Sequence, residues 1–134
     1  MKEMIRRIAD SSMKLQDVSY LVEDGKNWLV SSVELIFDPP YRIVFEATED
    51  DAIRAREGSL EVHNHEEIVT ASDQMPWREC LGKGVIFAWE LLNSGGYTDG
   101  VQFLFGRDVT DTHCIQLMVE ASSFTIGEVN NFNR

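Results

Sequence analysis

The chain has 134 residues, of which 43% are hydrophobic, and its 23 acidic and 12 basic side chains give a net charge of −11. That size and composition fit one folded domain, 1–134, with a sizeable core, and exclude a disordered chain or two independent domains. So acidic a surface repels phosphates and anionic lipid, which argues against nucleic-acid or membrane-surface binding and leaves a basic protein partner or a cation as the easier companion.

The opening residues MKEMIRRIADSSMK contain no apolar run followed by a small-residue cleavage site. No stretch approaches the ~18 apolar residues of a membrane span. Within Lys2 to Lys14, the spacing of Met4, Ile5, Ile8 and Met13 predicts a short amphipathic helix of two or three turns. From Leu15 the period becomes two, as in a strand, and Asp24-Gly25 marks a tight hairpin, because glycine accepts the positive φ that such turns require. A second strand from Trp28 to Phe37 ends at Pro39-Pro40, since proline cannot donate a ladder hydrogen bond. Tyr41 to Ala47 reads as a third.

The next stretch is strongly acidic: Glu46, Glu49, Asp50, Asp51, Glu57, Glu61, Glu66, Glu67 and Asp73 stand against only Arg54 and Arg56. Ala52 to Arg56 fits a helical turn or an edge strand, and Ser59 to His63 alternates as a strand with Leu60 and Val62 on one face. Charge on such an edge discourages strand addition. Further on, VIFAWELL is apolar on both faces and is expected to be a central strand. The loop Asn93 to Gly100 joins it to Val101–Phe105, and a last pair spans His113 to Ala121 and Ser123 to Val129. The tail, residues 130–134, is expected to be loosely ordered. About seven or eight strands with short connections favour antiparallel neighbours. The expected fold is therefore mainly β (β-rich α+β), a strongly bent antiparallel sheet or partly open barrel with a short N-terminal helix.

Several groups bear on chemistry. His63 and His65, two apart on a strand, would share a face and could hold a metal with Glu66 or a remote acid. Their plain alternative is a solvated acidic edge. Nucleophilic catalysis needs a base beside the nucleophile, but His113 and Cys114 are neighbours and point to opposite faces of a strand. Gly82-Lys83-Gly84 has neither the spacing nor the following helix of a phosphate loop. No catalytic residue and no cofactor is assigned. Cys80 and Cys114 are too few and too far apart for a disulfide framework or a zinc site, and are expected to be buried thiols in a reducing cytoplasm. The loop Gly95 to Gly100, with Tyr97, Asp99 and a nearby Trp89, could bind a small polar ligand on the concave face of the sheet; otherwise its glycines turn the chain, Asp99 caps local amides and Tyr97 packs across the hairpin.

The succession Trp77…Cys80-Leu81-Gly82-Lys83…Trp89…Leu92-Asn93…Gly96-Tyr97-Thr98-Asp99-Gly100 resembles small uncharacterised bacterial proteins of a domain-of-unknown-function type. The resemblance implies a bacterial origin and no established activity. The first expectation is a non-enzymatic domain that acts through protein contacts, as a homodimer or in an immunity or antitoxin-like role. In the latter, Glu49, Asp50, Asp51, Glu57, Glu66 and Glu67 would cover a basic partner. The alternative is a small-ligand binding domain or enzyme with a pocket on the concave face.

Overall fold

The computed structural model of the chain describes residues 1–10, 12–108 and 110–129; the tail expected to be loosely ordered lies outside them. Among these residues one α-helix, α1 (Lys2–Ala9), precedes nine strands: β1 (Lys14–Glu23), β2 (Lys26–Asp38), β3 (Tyr41–Ala47), β4 (Ile53–Glu57), β5 (Glu66–Thr70), β6 (Gly84–Leu92), β7 (Thr98–Gly106), β8 (Thr112–Glu120) and β9 (Ser123–Val129), with a short 3-10 turn at Arg78–Cys80 before β6. The fold is mainly β and antiparallel with a short N-terminal helix, and no barrel closes. The strands divide into a five-stranded sheet, β4-β3-β2-β1-β5, and a four-stranded sheet, β6-β7-β8-β9.

Alternation of side chains builds the interface between the sheets. In the first sheet Val18, Tyr20 and Val22 face inward with their partners Leu35, Val33 and Val30. A register shift between Leu15 and Asp17 turns Leu15 onto the same inner face, opposite Phe37, although it lies an odd number of residues from Val18. The second sheet contributes Val101, Phe103 and Phe105 from β7 and Ile115, Leu117 and Val119 from β8, and all belong to one buried cluster with the first sheet. Phe45 meets Phe103 edge-on across the interface at 5.4 Å between ring centroids.

Trp77, fully buried on the connection between the sheets, donates its indole N–H to the Tyr20 hydroxyl at 2.5 Å and stands edge-on to Phe105 at 6.3 Å. At the same seam the Leu15 amide donates to the Lys83 carbonyl at 2.9 Å and the Gly82 amide to the Leu15 carbonyl at 2.8 Å. Gly82 has φ +80°, which a side chain would resist.

Two expectations are corrected. Residues 59–63 form no strand; β5 starts three residues later, at Glu66. Because β4 and β5 are opposite edges of their sheet, the chain between them must cross its outer face, and Leu60 packs there on Leu21 and Val44 in a second, small cluster. Nor is VIFAWELL central: β6 is the edge strand of its sheet. Helix α1 lies against β6 and drives Ile5 and Ile8 into the common core. Ile8 is fully buried, so Ile8→Ala is expected to lower stability by about 2–5 kcal/mol in urea unfolding. Arg6→Ala, on the exposed face of the same helix, is expected to stay within about 0.5 kcal/mol.

Candidate functional site

Edge strands expose unpaired backbone groups, and folded proteins usually guard them with charge or cover. Among the described residues, β4 carries Arg54, Arg56 and Glu57, β5 carries Glu66 and Glu67, and β9 lies against β2. β6 has a single charge, Glu90, among nine residues. Yet Phe87 is 63% exposed and Leu92 70% exposed.

Between this strand and α1 runs a groove of about 500 Å³, walled by Ile5, Arg6 and Ala9 on the helix side and by Ile86, Phe87 and Trp89 on the strand side. A register shift between Val85 and Phe87 sets the geometry, placing Phe87 opposite Leu104 and Trp89 opposite Gln102 on the outer face, where Gln102 and Gln116 are bonded at 2.6 Å. The charge beside the groove is unlike that of the whole chain. The charged residues lining the groove are Lys2, Arg6, Asp10 and Glu90, so their formal charges cancel in a protein of net charge −11.

The residues singled out from sequence are placed as follows. Trp89 lines the groove. Tyr97 is 44% exposed at the loop between β6 and β7, and Asp99 accepts from the Asn93 side chain at 3.4 Å. It is Asn93 that organises this loop, accepting from the Gly95 amide at 2.8 Å and the Tyr97 amide at 3.4 Å. The inner faces of the sheets, where a concave pocket was expected, are filled by core side chains including Phe37, Phe45, Phe103 and Phe105. Trp77 is fully buried in the core, and Trp28 is 71% exposed.

His63 and His65 do not share a strand face: both are exposed in the 58–65 connection, and His65 has φ +67°. The His63 amide donates to the Glu66 carboxylate at 3.0 Å. Among the described residues no group of three or more His, Cys, Asp or Glu side chains could hold a metal ion. The acidic residues expected to form one partner surface are divided. Glu57 lies on β4 and Glu66 and Glu67 on β5, with three strands between, roughly 19 Å of sheet. Asp51 accepts from the Ser122 amide at 2.7 Å, and Glu57 pairs with Arg7 at 3.2 Å. Glu49 and Asp50 are exposed in the turn before β4.

Sequence reasoning missed one polar cluster. Lys83, 7% exposed, pairs with Asp111 at 3.1 Å; the same carboxylate lies 3.9 Å from His113, whose other ring nitrogen is 3.0 Å from Glu128. His113 points inward beside Phe105, and Cys114 points outward beside Leu104, as adjacent strand residues must. The cluster joins β8 and β9 to the segments before β6 and β8. Its only signal in the sequence was Lys83 between two glycines. Both cysteines are free and buried. Burial, with Glu128 nearby, pushes the Cys80 thiol up to about 12 and the Cys114 thiol up to about 11, so neither is an activated nucleophile.

No helix among the described residues is long and apolar enough to cross a membrane. In comparison with known proteins, residues 3–133 match the family described as a family of unknown function (DUF6334). No curated protein and no solved structure matches the chain.

The protonation of the buried groups sets an expected pH dependence. Tyr20, like Cys80, is pushed up to about 12 by burial, from an ordinary value of 10.0 for tyrosine and 9.0 for cysteine. Above pH 9 the unfolded chain therefore binds fewer protons than the fold, and stability falls as pH rises from about 9 towards 12. At pH 8 the native thiols are expected to resist a disulfide exchange reagent, with both reacting after denaturation. Rapid labelling of the folded protein would contradict the assignment.

Proposed function

We propose a protein-contact role for this chain, which belongs to the family of unknown function DUF6334: it is a non-enzymatic domain that pairs with a second copy of itself along β6. The observation that carries the reading is the apolar exposure of β6 at the edge of its sheet. A strand with one charge, and with Phe87 and Leu92 more than half exposed, is the kind of surface that another strand covers.

Two features favour a second copy as the occupant. Self-association of a protein of net charge −11 costs least where the local charge is near zero, and α1 with β6 supplies such a side. Antiparallel pairing of β6 about Trp89 also puts Phe87 opposite Leu91, Ile86 opposite Leu92 and Glu90 opposite Ala88, so no like charges face each other. The two copies then share one continuous sheet, and an isologous contact of this kind closes on itself without growing into fibres. The free, buried thiols support a reducing setting, the cytoplasm of a bacterium in this reading.

Light scattering on the purified protein, over a range of concentrations, is expected to show a dimer. Phe87→Lys is expected to give a monomer with stability changed by no more than about 0.5 kcal/mol, because the side chain is mostly exposed. A wild-type monomer at every concentration, or a dimer indifferent to Phe87→Lys, would overturn the proposal.

A further inference from the structure

On the side of α1 away from β6 lies a different kind of site. The helix faces β3 and β4 across a cleft of about 510 Å³ lined by Glu3, Arg6, Arg7, Asp10, Tyr41 and Glu57. A second hollow of about 360 Å³ shares Arg7, Tyr41 and Glu57 and extends to Arg42. The Arg7–Glu57 ion pair thus stands between two parts of one depression.

Tyr41 is 7% exposed, and its hydroxyl is a buried side-chain oxygen with no hydrogen bond within 3.5 Å, although the Glu57 carboxylate stands close enough to act on it. Leaving such a group unsatisfied is unfavourable, and a phenylalanine would fill the same core position without that cost. The Arg7 guanidinium lies over the Tyr41 ring, 4.4 Å from its centroid. Burial first, and then hydrogen bonding to and the charge of the neighbouring Glu57 carboxylate, hold the phenol up to about 12.

We propose that this cleft binds a small zwitterion, a molecule carrying a carboxylate and an ammonium group, which inserts between Arg7 and Glu57. The ligand carboxylate takes Arg7 and the Tyr41 hydroxyl; the ligand ammonium takes Glu57, with Asp10 and Glu3 beside it. The exchange leaves no charge unpaired. What it displaces is weak, since both partners of the Arg7–Glu57 pair are more than half exposed in their side chains. A simple anion would strand Glu57 against the other carboxylates, and a simple cation would strand Arg7. The proposal does not rest on the β6 contact, although Arg6 and Asp10 line both hollows.

Glycine is the minimal probe, with acetate and methylammonium as its two halves, followed by the resonances of Tyr41 and Arg7 in solution at constant ionic strength. Glycine is expected to shift both at concentrations at least tenfold below either half, because its two charges engage as one unit. Tyr41→Phe is expected to weaken glycine about tenfold, the worth of one charge-assisted hydrogen bond, while leaving the melting temperature unchanged or raised. No shift with glycine at tens of millimolar, or acetate as effective as glycine, would overturn the proposal. So would undiminished binding by Tyr41→Phe. A lower melting temperature in that variant would show that the hydroxyl serves the fold instead.

Discussion

The structure depends on how the open side of a two-layered sheet is closed. Two antiparallel sheets bury their inner faces against each other, and a side where their edges do not meet must be sealed by something apolar. In this protein the seal is α1, only eight residues long, whose Ile5 and Ile8 enter the same cluster as Phe45, Phe103 and Phe105. So short a helix would not persist in water alone; its stability comes from packing. Once placed, it defines both hollows beside it: the apolar groove against β6 and the polar cleft against Tyr41 and Glu57. One face of the helix makes the core, and its flanks make the two surfaces with chemistry.

The acidic excess is less available than its number suggests. Glu46 is held by Arg54 and Arg56 at 3.3 Å each, and Glu34, 5% exposed, is held by Arg42 at 3.3 Å. Arg42 and Arg56 also reach the hydroxyl and carbonyl of Ser59, tying the crossing segment to the sheet beneath it. Asp51 bridges to the turn at Ser122, where Ala121 and Ser122 both adopt positive φ. Much of the charge between Glu46 and Asp73 therefore organises a crossover that the topology requires, because β4 and β5 sit at opposite edges. The surface left near neutral is the one beside β6.

Local features were legible wherever a backbone rule acts over a few residues. Asp24-Gly25 makes its turn with φ +77° at Gly25, Pro39-Pro40 ends β2, and β3 spans Tyr41–Ala47 as its β-branched and aromatic residues indicate. Strand position was not legible. A segment apolar on both faces fits a central strand between two layers, but it fits equally an edge strand with a helix beside it, and only the placement of Ile5 and Ile8 tells them apart. Alternation at 59–63 misled for a related reason. Leu60 is buried as a strand residue would be, yet it is an anchor for a connection crossing the outer face. The site was harder still. Tyr41 reads as ordinary core in sequence, and its place beneath Arg7 and beside Glu57 depends on contacts between elements far apart in the chain.

The central claim is that β6, framed by α1, is an edge meant to be covered. Hydrogen exchange at the amides of β6, measured at low and high protein concentration, tests it most directly. The account predicts that the amides of β6 that point away from β7 become more protected as the protein concentration rises and copies pair. Exchange at those amides that does not change with concentration, or protection already complete in the monomer, would contradict it.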